Sequence, residues 1–227
     1  MESHTPDKVI IETGKNPTAA VVWLHGLGAD GHDFEPIIPE LGLEGIGPIR
    51  FVFPHAPIRS VTINNGMEMR AWYDILEISI DRRADEEGII DSAQLVDTLL
   101  TEQIEAGISP QRLILAGFSQ GAAMAYHVGL KQKHPLAGIL VLSGYLPLPE
   151  SLVAPLDQDS PVTPILCCHG IWDPVVPVKL GESSAKKVEQ AGWPLEWKTY
   201  PAPHSLHPDE VVEVGHWIRR ILADSSA

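Results

Sequence analysis

Gly117-Phe118-Ser119-Gln120-Gly121 is the segment of this chain whose residue types could carry covalent chemistry. The apolar run Leu113 to Ala116 precedes it and a helical pattern follows it. A serine on so tight a strand-to-helix turn requires glycine on both flanks to avoid clashes. Its hydroxyl then stands above the sheet edge, at a helix N-terminus that favours negative charge. Gly-x-Ser-x-Gly is a weak signal alone, and its place between strand and helix is what makes Ser119 the candidate nucleophile.

A serine hydroxyl needs a base, and the base needs a carboxylate to orient it. With the nucleophile on such an elbow, the chain order is serine, acid, histidine. Asp173 lies in His169-Gly170-Ile171-Trp172-Asp173-Pro174, where the apolar run Pro164–Cys168 ends. That position puts it at the carboxyl edge of the sheet, beside Ser119. Asp157 and Asp159 compete from a proline-rich stretch, and Asp209 and Glu210 from a helix opening. The downstream histidines are His204, His207 and His216. His204 lies nearest the end of the strand-like Glu196–Tyr200, His207 is pinned to a helix start by Pro208, and His216 falls inside that helix as packing or surface. Asp173 and His204 are favoured, with the other acids and His207 kept as alternatives. His204 and His207 have a spacing a metal could use, but no matching further ligands accompany them, so neither metal nor cofactor is expected.

Gly26-Leu27-Gly28-Ala29-Asp30-Gly31 matches the dinucleotide fingerprint and follows a strand. That fingerprint also demands a helix at its end and an acid closing the next strand. Pro36 and Pro39 interrupt the helix, and the next strand, Phe51–Phe53, ends in Pro54-His55. The better reading is that His25-Gly26-Leu27-Gly28 supplies one backbone N–H to an oxyanion hole, with the N–H of Gln120 as the other.

The elements that must position these groups alternate. Ala19–Leu24, Phe51–Phe53, Arg112–Ala116, Gly138–Leu142 and Pro164–Cys168 are apolar at successive positions, as strands covered on both faces are. Helical patterns fall at Asp91–Ala106, Gln120–His134, Gly181–Gln190 and Asp209–Leu222. The first carries Ile90, Ala93, Leu95, Val96, Leu99, Leu100 and Ile104 on its face and Gly107 as its stop; the last carries Val211, Val214, Trp217, Ile218 and Ile221 as one stripe. The alternation predicts an α/β fold, a mainly parallel sheet flanked by helices. Ala56–Gly88, with the turn signal Asn64-Asn65-Gly66, and the proline-rich Pro147–Pro164 fit neither pattern and read as loop or cap.

With 227 residues, the chain fits one domain over residues 1–227, of a size that buries about 70–75% of its unfolded surface. Its 16 Lys plus Arg face 30 Asp plus Glu, a net charge of −14, and no run of basic residues exceeds two. Such a chain repels phosphate backbones and anionic lipid surfaces, so no nucleic-acid partner is expected. No apolar stretch is long enough to span a bilayer and no basic, apolar leader opens the chain, so no membrane insertion is expected. Cys167 and Cys168 are adjacent in a strand, point to opposite faces and read as small buried hydrophobes. Pro17 disqualifies Asn16-Pro17-Thr18 as a glycosylation site, and a reducing cytoplasm is the expected setting.

Taken in order, His25-Gly26-Leu27-Gly28, Val61-Thr62-Ile63-Asn64, Trp72-Tyr73-Asp74, the Ser119 elbow, Leu142-Ser143-Gly144-Tyr145-Leu146-Pro147, His169-Gly170 with Asp173-Pro174, and His204 resemble the phospholipase/carboxylesterase family of small serine hydrolases, which includes the acyl-protein thioesterases. Pro57–Asp74 is most similar to its bacterial carboxylesterases. The resemblance implies a minimal α/β-hydrolase with no large separate cap domain, and Ser119, Asp173 and His204 as triad. It also implies oxyanion donors at the backbone N–H groups of Leu27 and Gln120, and a loop at Ala56–Gly88 over an acyl groove lined by Leu76, Tyr145 and Val175. Ala122 and Pro203 depart from the family pattern; Ala122 is harmless in a helix, whereas Pro203 restricts Ala202 and could alter the approach of His204.

The implied activity is a serine carboxylesterase acting on short- to medium-chain esters through an acyl-enzyme. The alternatives are an acyl-protein thioesterase or lysophospholipase for long acyl chains, and a ligand-binding protein that does no chemistry. A small-molecule ester or thioester is the implied partner. Relatives often pair, so a homodimer is a further expectation.

Overall fold

The computed structural model describes residues 6–76, 85–155 and 162–224. Its centre is a seven-stranded sheet built from β1 (Lys8–Glu12), β2 (Ala19–Leu24), β3 (Ile49–Pro54), β6 (Leu113–Phe118), β7 (Gly138–Leu142), β8 (Ile165–Gly170) and β9 (Leu195–Tyr200). The spatial order is β1-β3-β2-β6-β7-β8-β9. β1 runs antiparallel to β3, and every other pairing is parallel. This is the α/β-hydrolase arrangement, without a large cap among the described residues.

Both faces of the inner strands β2, β3, β6, β7 and β8 are covered, which is why these are apolar at nearly every position. In β2, Ala20, Val22 and Leu24 pack in the layer with α1 (Glu86–Glu105), α2 (Gln120–Gly129) and α3 (Val178–Gln190). Ala19, Val21 and Trp23 pack on the opposite face with α4 (Pro208–Asp224) and the 3₁₀ segment Glu35–Leu41. Cys167 and Cys168 divide the same way, one thiol to each layer, and neither forms a disulfide.

The mixed segment after β3 contains more structure than its sequence suggests. β4 (Ile58–Val61) and β5 (Met67–Arg70) form an antiparallel hairpin, closed by Asn65 and Gly66 with φ of 56° and 75°. Helix α1 begins at Glu86, not Asp91, because the Asp85 carboxylate accepts the Gly88 N–H at 3.0 Å and caps it. Ile90 and Ile104, assigned to its buried face, are exposed. Val96, Leu99 and Leu100, assigned to the same face, are buried. Helix α2 stops at Gly129, five residues short of His134, and each of its ten residues is buried between the sheet and its neighbours. β1 has no counterpart in the sequence reading.

Close approach of α2 to the sheet sets the geometry at the head of β6. A Cβ on Gly117 would lie 2.2 Å from the Gly121 carbonyl oxygen, and one on Gly121 would lie 2.3 Å from that of Leu24. Backbone cannot swing aside as a side chain can, so Gly121→Ala is expected to cost at least the ~1–3 kcal/mol of core overpacking. A thermal melt within a degree of the parent would refute this.

Candidate active site

Strand β6 delivers Ser119 to the carboxyl edge of the sheet and α2 starts on the next residue. Ser119 has φ 56° and ψ −116°, a backbone conformation rare outside glycine. Its N–H donates to the Leu142 carbonyl at 2.9 Å, and its carbonyl accepts the Ala123 N–H at 3.1 Å. The turn is thereby tied to both β7 and α2.

His204 follows β9, and its Nε2 lies 2.8 Å from Ser119 Oγ. Its Nδ1 lies 2.6 Å from Asp173 Oδ2. Because a carboxylate can only accept, Nδ1 carries the proton and Nε2 is free to accept from the serine hydroxyl. The ring rests against Phe118, with centroids 4.9 Å apart. Asp173 follows β8, and its side chain is wholly buried. Burial alone would raise its carboxyl, but hydrogen bonds from His204 and from the Val176 and Val175 N–H groups outweigh this and hold it below the ordinary carboxylate range.

His169, read only as a strand end in the sequence, is a second histidine at that carboxylate. Its Nε2 donates to the Val176 carbonyl at 2.8 Å and lies 3.5 Å from Asp173 Oδ2. Burial lowers its pKa, keeping it neutral. It therefore braces the turn whose N–H groups of Val175 and Val176 bond Asp173 Oδ1, each at 2.8 Å.

Beside Ser119 is a cavity of about 250 Å³ lined by Leu27, Ile63, Ile75, Gln120, Tyr145 and Val176, with Pro174 and Val175 among its other residues. Tyr145 and Val175, which the resemblance implied for an acyl groove, are among these lining residues. Leu76, implied with them, is half-buried and is not among the lining residues, whereas its neighbour Ile75 is. Residues 77–84 and 156–161, including Asp157 and Asp159, lie outside the described residues, so coverage of the site by these loops does too.

The remaining alternatives sit elsewhere. His207 stacks on Tyr200 and its Nδ1 accepts the Asp209 N–H at 3.2 Å. His216 is exposed on α4. Among the described residues no cluster of His, Cys, Asp or Glu could hold a metal ion, and no helix is long and apolar enough to cross a membrane.

Residues 5–222 match the family model described as Phospholipase/Carboxylesterase. The chain belongs to that family. It is 36% identical to acyl-protein thioesterase 1 of Gibberella zeae, over 98% of each chain. It is 32% identical to carboxylesterase SOBER1 of Arabidopsis thaliana, over 91% of this chain and 92% of that one. The crystal structure of Arabidopsis SOBER1 superposes with a TM-score of 0.82 at 31% identity, covering 90% of this chain and 99% of that one. That of Zea mays acyl-protein thioesterase 2 superposes with a TM-score of 0.81 at 30% identity, covering 96% and 99%. With Ser119, His204 and Asp173 in hydrogen-bonded series, this member of the phospholipase/carboxylesterase family is a serine hydrolase acting on a small ester or thioester.

Its two departures from the family pattern are accommodated. A Cβ on Gly144 would lie 2.5 Å from the Ala122 methyl, so the bare backbone there receives the extra carbon. Ala202, restricted by Pro203, is buried and its carbonyl accepts the Trp172 N–H at 3.1 Å. His204 still reaches Ser119.

Glu210, a rejected triad candidate, is buried beneath the His204 loop, where it accepts the His207 N–H at 3.1 Å and leaves Oε1 without a hydrogen bond. Burial pushes its carboxyl from 4.5 up to about 7. The folded state thus holds this proton to a higher pH than the unfolded chain, and the stability it carries falls as pH rises between those values. Glu210→Gln is expected to match the parent's melting temperature at about pH 5 and to exceed it at about pH 8. A constant difference across that range would refute the assignment.

Proposed function

We propose that the chain is a single-domain serine carboxylesterase for short- to medium-chain acyl esters. The observation that carries this reading is the cavity beside Ser119. At about 250 Å³ it falls below the roughly 300–1,000 Å³ of sites that enclose drug-sized ligands. Apolar side chains line it, with few groups to bind a polar acyl portion.

His204 takes the proton of Ser119 as Oγ attacks the ester carbonyl, and Asp173 steadies the imidazolium that forms. The backbone N–H groups of Leu27 and Gln120 bind the developing oxyanion. His204 returns the proton to the departing alcohol, leaving an acyl-enzyme. Water, deprotonated by the same imidazole, attacks that acyl group and releases the acid and the serine.

The 36% identity to a thioesterase supports a second reading, hydrolysis of long-chain thioesters. Chain length separates the two. Activity on p-nitrophenyl esters should be greatest among the shorter members of a series from acetate to palmitate, whereas an optimum at palmitate would favour the second reading. The net charge of −14 favours neutral or cationic substrates, and preferential turnover of anionic lipids would contradict this.

Ser119→Ala should reduce kcat by about 10⁴-fold or more without changing the fold. In intact-mass spectrometry, a fluorophosphonate should add once to the parent and not to this variant. An adduct surviving in Ser119→Ala would place the nucleophile elsewhere. Activity should also decline on acidification, since a protonated imidazole cannot accept the serine proton, and a flat acid limb would remove His204 as base.

A further inference from the structure

We infer that Trp72 and the side chain of Gln120 form a rigid frame that sets the separation of the two oxyanion donors, making both positioning groups for the transition state. The inference rests on the proposed assignment of those donors to the N–H groups of Leu27 and Gln120.

The two donors come from loops far apart in the chain, one after β2 and one at the head of α2. The segment after β5, which bends at Trp72 and Tyr73, lies between them and bonds to both. Trp72 is fully buried. Its backbone N–H donates to Gln120 Oε1 at 2.8 Å, and its indole Nε1–H donates to the His25 carbonyl at 2.9 Å. Its own carbonyl accepts the Ser92 hydroxyl of α1. Gln120 closes the link by donating from Nε2 to the Tyr73 carbonyl at 2.7 Å. Gln120 is therefore bound through both ends of its amide, and its side chain is held where its backbone N–H is needed.

The Leu27 side is fixed as completely. His25 Nε2 accepts the Ala56 N–H at 3.0 Å, which leaves Nδ1–H to donate to the Gly26 carbonyl at 2.7 Å. Burial lowers the His25 pKa, in keeping with this neutral tautomer. The Gly28 N–H is taken by the Arg70 carbonyl at 2.8 Å. Leu27 thus sits between two anchored residues, and Trp72 grips the carbonyl of the residue before them.

The indole bond is particular to Trp72. Trp23 and Trp217 are as deeply buried, yet their indole N–H groups have no hydrogen-bond partner. Burying a tryptophan in this protein does not by itself produce such a bond. At residue 72 a phenylalanine would fill most of the same volume but would leave the His25 carbonyl without that donor. Oxyanion donors act only within about 2.7–3.1 Å of the developing charge, so a loosened frame acts on the transition state more than on the bound ester.

A peptidyl-free alkyl trifluoromethyl ketone tests this directly. Ser119 Oγ adds to its carbonyl carbon, the C=O π pair moves to oxygen, and the serine proton passes to His204, giving a hemiketal whose oxygen occupies the proposed hole. Its ionisation is followed by ¹⁹F NMR against pH, alongside kcat and KM for an ester, in the parent and in Trp72→Phe and Gln120→Met. The parent hemiketal should ionise at lower pH than the same hemiketal free in water. Each variant should shift that ionisation upward and lower kcat by about ten- to a hundredfold with KM nearly unchanged. Gln120→Met, close in volume, decides the matter if Trp72→Phe does not fold. A parent hemiketal with no acid shift would overturn the oxyanion assignment itself. An acid-shifted parent with unshifted, folded variants would overturn only the frame.

Discussion

Ser119 occupies a backbone conformation that side-chain-bearing residues avoid at a cost of about 1–3 kcal/mol, and much of the molecule is arranged so that it cannot relax. The strand before it and the helix after it meet at van der Waals limits, with Gly117 against Gly121 and Gly121 against the end of β2. Helix α2, buried on every side, is held by both the sheet and α1. Strain concentrated at one residue is thereby offset by packing spread over several elements. The reward is a hydroxyl fixed above the sheet edge, 2.8 Å from its base.

The same edge gathers buried polar groups whose desolvation must be offset locally. Asp173 is the clearest case: one oxygen receives two backbone N–H groups and the other receives His204, so the charge survives burial. His169 and His25 are buried without charge, each with a ring N–H committed to a carbonyl. Glu210 is less well provided for, and its carboxyl is accordingly the one pushed upward. One histidine along this edge is therefore a base while two are structural, and hydrogen-bond partners rather than sequence separate them.

The inner sheet strands β2, β3, β6, β7 and β8 were legible in the sequence because both their faces are covered, leaving runs such as Ala19–Leu24 apolar throughout, whereas the half-exposed edge strand β1 was not. Ser119 was legible for a related reason, since a turn this tight leaves its glycines in view. Asp173 and His204 could be favoured only by chain order and proximity to strand ends, and the structure places both in hydrogen-bonded series with Ser119. The β4–β5 hairpin was hidden because its residues are largely exposed and carry charge, so no apolar period marks them. The start of α1 was hidden by an acidic stretch and Gly88, whose helical state depends on the Asp85 cap. Ile75 and the roles of His169 and Trp72 depend on which way a side chain points and which carbonyl it meets. Those are tertiary facts, with no local pattern to announce them.

The order of strands has a kinetic consequence. β6, β7, β8 and β9 lie side by side in the order of synthesis, and each parallel pairing waits for an intervening crossover. Ser119 arrives with β6, Asp173 after β8 and His204 after β9, so the Ser119–His204 bond closes over 85 residues of chain. Contacts this distant form late, because the entropy of closing the intervening loop is lost before the contact is gained. A nascent or partly folded chain can own a well-formed elbow and still be inert. The molecule acquires its reactivity only once the last sheet strand, β9, and the His204 loop behind it are in place.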